Sequence, residues 1–126
     1  MIRNTAASIV LAATVTAATL MPATYVQAAT KFDGSWSVVV VTRNGPCDAA
    51  YRLNGQIVNG AIVYSGIGAI AVAGSVRPNG GAYLKVSSGG SYAVASGHMT
   101  PVRGSGTWYG RTSGGRCSGV WSAARS

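Results

Sequence analysis

Gly104-Ser105-Gly106-Thr107-Trp108-Tyr109-Gly110-Arg111, a Ser113-Gly114-Gly115 break, then Arg116-Cys117-Ser118-Gly119-Val120-Trp121: this C-terminal stretch carries the signals that decide the fold. Two β-prone runs flank a Gly-Gly pair, which supplies the positive φ angles of a tight hairpin. Strand alternation puts Cys117, Gly119, Trp121 and Ala123 on one face, and Arg116, Ser118 and Ser122 on the other. Gly106-Thr107-Trp108 and Gly119-Val120-Trp121 repeat a pattern that also occurs at Gly34-Ser35-Trp36. Glycine and tryptophan two apart point the same way on a strand. The glycine leaves room for a large indole from a neighbouring strand. Trp36, Trp108 and Trp121 therefore face an interior, where they either fill it and seal its end or line a ligand cavity.

Outward from this hairpin the pattern continues toward the N-terminus. All eighteen glycines lie beyond Asp33, and no segment reads as a helix. Eight short runs sit between turn signals: Ser35–Thr42, Ala49–Val58, Ala61–Gly66, Ile70–Val76, Ala82–Ser87, Tyr92–Met99, Gly104–Arg111 and Arg116–Ala124. The connections are short, so consecutive strands pair antiparallel as an up-and-down meander. Tyr51, Leu53, Gly55 and Ile57 share a face against Arg52, Asn54 and Gln56, and Leu84 and Val86 oppose Tyr83 and Lys85. The first strand, Trp36 to Val41, is apolar on both faces and its inward side is not assigned by alternation. The strands alone permit a sandwich or a barrel. Cys47 and Cys117 tilt the choice: in a closed eight-stranded barrel the first and last strands pair antiparallel, which brings the end of the first beside the start of the last. A disulfide there clasps the seam, whereas an open sheet holds the two cysteines farther apart than the ~7 Å that a bridge tolerates between Cα atoms. The expectation is an all-β, eight-stranded antiparallel meander closed into a small barrel with one disulfide.

Ahead of this domain, residues 1–29 read as a secretory signal. Arg3 gives a positive start, Ala6 to Leu20 is uncharged and apolar, Pro22 breaks the run, and small residues precede a cut after Ala28 or Ala29. The apolar run is shorter than the ~20 residues of a membrane span. Residues 30–126 are then a single domain of about 97 residues, periplasmic or secreted, without a transmembrane segment after cleavage. Such a compartment preserves disulfides, and a core this small benefits from one.

The charge is lopsided. Ten Lys plus Arg face two Asp and no Glu, a net of +8, and loss of Arg3 leaves +7. That balance favours an anionic partner: an acidic glycan, a lipid headgroup or an acidic protein. Arg52, Arg77, Lys85, Arg103, Arg111 and Arg116 are the candidate anion-binding residues. Export makes nucleic acid an unexpected partner in vivo.

Little in the chain reads as catalysis. Gly-x-Ser-x-Gly is absent. A Ser-His-Asp set exists in composition only, from His98 with Asp33 or Asp48. Those two aspartates are the only carboxylates, and a strand rising about 3.3 Å per residue separates them. Two cysteines and one distant histidine lack the spacing of a metal site, and no cofactor motif occurs. The expected catalytic, metal and cofactor sets are all none. Asp33, ahead of Gly34, suits a turn in which it bonds backbone.

The motifs Phe32-Asp33-Gly34-Ser35-Trp36-Ser37-Val38, Cys47-Asp48-Ala49-Ala50-Tyr51-Arg52, Gly104-Ser105-Gly106-Thr107-Trp108 and Cys117-Ser118-Gly119-Val120-Trp121 together resemble a group of small exported alphaproteobacterial proteins. Some of that group carry a label of haem utilisation or adhesion, and the resemblance implies location and fold. Haem ligation does not follow for this chain, because His98 is its only imidazole and Met99 points to the opposite face of a strand. Gly34-Ser35-Trp36 and Cys47 are also similar in kind to avidin-like barrel inhibitors of bacterial metalloproteases. That family bridges cysteines close in sequence and uses an N-terminal arm; here the bridge spans the domain and only a short arm precedes Phe32. The functional expectation is a non-enzymatic binding module that contacts an anionic envelope component or a small ligand. The alternative is an inhibitor of an exported protease or lysozyme-like enzyme. The sequence sets no oligomeric state.

Overall fold

The computed structural model describes residues 12–16, 29–64 and 69–126. The proposed signal, 1–29, lies outside the described residues apart from 12–16 and Ala29, as does the whole Gly66-Ile67-Gly68 turn. Eight antiparallel strands follow in chain order: β1 (Gly34–Asn44), β2 (Ala50–Val58), β3 (Ala61–Val63), β4 (Ala71–Val76), β5 (Gly81–Ser88), β6 (Ser91–Met99), β7 (Arg103–Thr112) and β8 (Gly115–Arg125). Each pairs with its neighbour, and β1 pairs with β8, so the meander closes into a barrel. Of the strand expected over Ala61–Gly66, β3 covers Ala61–Val63, with Ser65 and Gly66 outside the described residues, and among the described residues β3 meets β4 through the pair Ala61↔Ser75.

Register fixes the faces. Trp36, Val38 and Val40 of β1 line the interior with Tyr51, Leu53 and Ile57 of β2, Leu84 and Val86 of β5, and Trp121 and Ala123 of β8. This resolves the first strand: Val39 pairs with Arg52 and Ser122, whose side chains face outward, so Val39 and Val41 lie on the outer wall. The outer wall also carries Ser37, Asn54, Gln56, Lys85, Ser96 and Thr107. The outer wall is mixed, since register sets Val94, Tyr109 and Val120 on the same side as Lys85 and Thr107. Among the described residues, no helix is long and apolar enough to cross a membrane.

The seam between β1 and β8 carries eight paired positions, from Trp36↔Arg125 to Asn44↔Ser118, with a bulge at Arg43. Cys47 and Cys117 are bonded beside its upper end, with Cα atoms 6.1 Å apart. The bridge closes a loop of 70 residues, worth roughly 4 kcal/mol in the chain-entropy account. The bulge lets the chain turn away from the ladder and bring Cys47 over Cys117.

One end of the barrel is plugged. The segment Thr30–Asp33 crosses the lower ends of β1, β2 and β8, and Phe32 is its stopper, 1% exposed. Phe32 packs with Trp36, Ile57, Val76, Met99 and Ala123 as a buried cluster. Hydrogen bonds strap the segment down. Asp33 accepts from the backbone N–H groups of Asn59 (2.7 Å) and Gly60 (3.0 Å), and from Thr30 Oγ1 (2.6 Å). Arg125 donates to the carbonyls of Lys31 (3.0 Å), Asp33 (2.6 Å) and Pro101 (2.9 Å). Its guanidinium also stacks on the Trp36 ring, 4.8 Å from the centroid. The strap therefore ties the β2–β3 turn, the β6–β7 turn and the last strand to the start of the domain.

Two outcomes follow. Replacing both cysteines (C47S with C117S) lowers stability by roughly 2–4 kcal/mol, read as a shifted urea midpoint. An unchanged midpoint contradicts a seam held by the bridge. The hydrogen bond from Thr30, with those from Gly60 and Asn59, holds the Asp33 carboxyl below its ordinary value. Its contribution is therefore present above the unfolded value, about 4, and is lost as pH falls through the lower folded value. Asp33→Asn is less stable near neutrality, and its stability falls less steeply than that of the native protein from pH 4 downward. Parallel acid limbs in urea titrations at several pH values count against this role.

Candidate functional site

The interior above the floor is open. A cavity of ≈ 520 Å³ runs up the barrel, within the ~300–1,000 Å³ usual for small-molecule sites. Its wall includes Val38, Val40, Leu84, Ala93, Ala95, Trp108 and Trp121. Tyr51, Ser88, Ser91, Arg111 and Thr112 line its upper end. Leu53 points inward yet is 43% exposed, because the space beside it is reached from the mouth.

An eight-stranded barrel is just wide enough for its own side chains to fill, so the opening has a cause. It lies in how the tryptophans are seated. Trp108 pairs directly with Gly119, and Trp121 with Gly106. The two Gly-x-Trp motifs of the β7–β8 hairpin thus exchange partners: each glycine seats the other strand's indole. Trp108 lies across Gly119 of β8, and its Nε1 donates to the Val41 carbonyl on β1, 3.1 Å away. Trp121 runs the opposite way, across Gly106 of β7 to the Ser96 carbonyl on β6, also at 3.1 Å. A Cβ at Gly119 would run into the Val41 carbonyl oxygen and lie 2.9 Å from the Trp108 Nε1, and one at Gly106 would run into the Ser96 carbonyl oxygen and lie 2.7 Å from the Trp121 Nε1. Both rings lie along the wall instead of projecting into the lumen. Small residues, Ala93, Ala95 and Gly110, continue the wall beside them.

Trp36 behaves differently. It pairs with Gly55 of β2, and its Nε1 donates to the Phe32 carbonyl at 2.8 Å. It is buried in the floor. Trp36 and Trp121 are not opposite each other across the seam; Trp121 pairs with Val40, and it leans down against the floor cluster. All three indole N–H groups are bonded to backbone carbonyls. They offer the lumen apolar rings and no donor.

The six candidate basic residues do not form one patch. Arg77 and Arg103 lie at the floor end, after β4 and at the start of β7. Arg52 and Lys85 lie midway on the outer wall, opposite Val39 and Ala73. Arg111 and Arg116 face each other across the β7–β8 ladder at the mouth. Arg111 borders the cavity. Arg116 borders a shallower depression on the outside of the barrel, with Asn44, Tyr109 and Ser118. Arg43, in the bulge, belongs to the same end.

His98 is exposed on the outer wall, while Met99 is buried in the floor, so the two face opposite sides. Asp33 is committed to its turn. Asp48 is held through its backbone, with its N–H donating to Tyr51 Oη (3.2 Å) and its carbonyl accepting from Thr42 Oγ1 (2.6 Å). Among the described residues, no three of His, Cys, Asp and Glu gather as a metal set. The roles of Arg125 and Phe32 had no signal in strand periodicity: Phe32 lies on the strap ahead of β1, and alternation does not encode the contacts that Arg125, the last residue of β8, makes with that strap. Set against known proteins, the chain matches no family model, no curated protein and no solved structure.

Gly106→Ala and Gly119→Ala each destabilise by roughly 1–3 kcal/mol through overpacking, with a change in tryptophan emission as an indole is displaced. Gly90→Ala is the matched control, since a Cβ there meets nothing within 4 Å. Equal effects at all three sites contradict the seating.

Proposed function

We propose that this protein is an exported, non-enzymatic binding protein that holds a small apolar molecule inside its barrel. The observation that carries the reading is the ≈ 520 Å³ apolar cavity above the Trp36–Phe32 floor. A lumen left open in so small a domain forgoes core contacts that stabilise it, and a bound apolar ligand restores them. Preformed walls also keep the ordering cost of binding low. The disulfide suits an oxidising compartment. The inhibitory alternative has less support, because residues 30–33, just ahead of β1, are strapped over the floor.

Titration with the neutral apolar fluorophore N-phenyl-1-naphthylamine tests the reading, with energy transfer from tryptophan as the signal. Ala95 points into the lumen beside Leu84 and Trp108. Ala95→Phe fills the space and weakens binding at least tenfold, while Ser96→Phe, on the outer face of the same strand, leaves it unchanged. Binding that is absent in the native protein, or that survives Ala95→Phe unaltered, removes the cavity as the site.

A further inference from the structure

We infer that the ligand is a single-chain amphiphile with an anionic head, bound tail-first with its head at Arg111 and Arg116. The inference rests on the reading that the cavity holds a ligand, and it names what kind.

The cavity has a direction. Its lower end is closed by Trp36, Ile57, Val76 and Met99; Ser88, Ser91, Thr112 and Arg111 border its upper end, and Asn54 and Gln56 border it lower down from β2. A polar group placed deep would lose its hydration, and the three indole donors, already bonded to Phe32, Val41 and Ser96, would not replace it. That desolvation costs at least ~1–3 kcal/mol per group. The ligand body is therefore apolar along its length, and its polar group emerges at the rim. The volume sets the scale. With a methylene taking about the room of a water molecule, roughly 30 Å³, ≈ 520 Å³ accommodates a chain on the order of 16 carbons.

The rim chooses the sign of the head. Arg111 and Arg116 are direct cross-strand neighbours, an arrangement that is destabilising for like charges. Arg43 adds a third cation at the same end, and Asp48 is the one carboxylate there. Arg111 touches the cavity, and Arg116 the outer depression that adjoins it at Tyr92 and Gly110. An anion between the two guanidinium groups offsets their repulsion, and the planar donors of arginine match carboxylate and phosphate oxygens. A cationic head would meet repulsion at the same place.

The test uses displacement of N-phenyl-1-naphthylamine from the disulfide-bonded protein by four chains of equal tail length, each below its micelle concentration: hexadecanoate, hexadecanol, hexadecylammonium and a monoacyl glycerol phosphate. The expected order places both anions ahead of the alcohol by roughly fivefold to tenfold, with the ammonium weakest and the anion preference shrinking as salt is raised. Arg111→Glu with Arg116→Glu abolishes that preference, so that neither anion binds more tightly than hexadecanol. Whichever anion binds more tightly distinguishes a fatty acid from a lysophospholipid source. Equal binding of carboxylate, alcohol and ammonium, or an anion preference that survives the double variant, overturns the inference while the cavity reading stands. Failure of the naphthylamine itself to bind is the separate failure of the cavity reading.

Discussion

Two indoles lying flat on the barrel wall, each over a glycine of the next strand, are the constraint on which the rest of this structure depends. A tryptophan on an inward position of an eight-stranded barrel would ordinarily cross the lumen and fill it. Here Trp108 and Trp121 spend their length along the sheet, because Gly119 and Gly106 remove the Cβ that would otherwise hold each ring off. The bonds from their Nε1 atoms to Val41 and Ser96 then fix the orientation. The result ties β6, β7, β8 and β1 together from inside, across the closing seam, and keeps the centre of the barrel open. One device thus supplies both the rigidity of the wall and the space within it.

The remaining parts divide between the two ends. At the floor, the burial of Phe32 and Trp36 needs the backbone of residues 30–33 to cross the barrel, and that backbone carries carbonyls with no ladder partners. Arg125 satisfies those of Lys31 and Asp33, and Asp33 in turn satisfies the N–H groups of Asn59 and Gly60. The plug is thus apolar inside and strapped by hydrogen bonds outside. At the mouth, the Cys47–Cys117 bridge holds the end of the seam where the Arg43 bulge interrupts the ladder. The two ends therefore differ in chemistry as well as in closure, which gives the lumen its polarity from apolar floor to basic rim.

The faces of β2, β5 and β8 were legible in the sequence because alternation there is clean: Leu53 lies between Arg52 and Asn54, Leu84 between Tyr83 and Lys85, and Cys117 between Arg116 and Ser118. The seam was legible from two cysteines, since one pair admits one bridge. For Trp36–Val41 the pattern was silent, as valine suits either side of a strand and only pairing with Arg52 and Ser122 shows that Val39 faces outward. The candidate cations were readable as exposed, yet their grouping was not. Arg111 and Arg116 meet because a four-residue turn brings the strands back on themselves, whereas Arg77 and Arg103 fall at the other end of the molecule.

By itself the sequence determined the strand count, the meander order, the inward faces of most strands and the single disulfide, because these follow from period-two patterning, turn chemistry and covalent arithmetic. Even the reciprocal seating in the last hairpin was implicit there, since an antiparallel pair that sets Gly106 against Trp121 must also set Trp108 against Gly119. Tertiary structure alone decided whether the lumen is filled or empty. That outcome depends on side-chain direction: an indole of given size occupies the centre or the wall according to which carbonyl its N–H can reach two strands away. It also depends on Phe32 and Arg125, residues from opposite ends of the domain whose meeting at the floor no local pattern encodes.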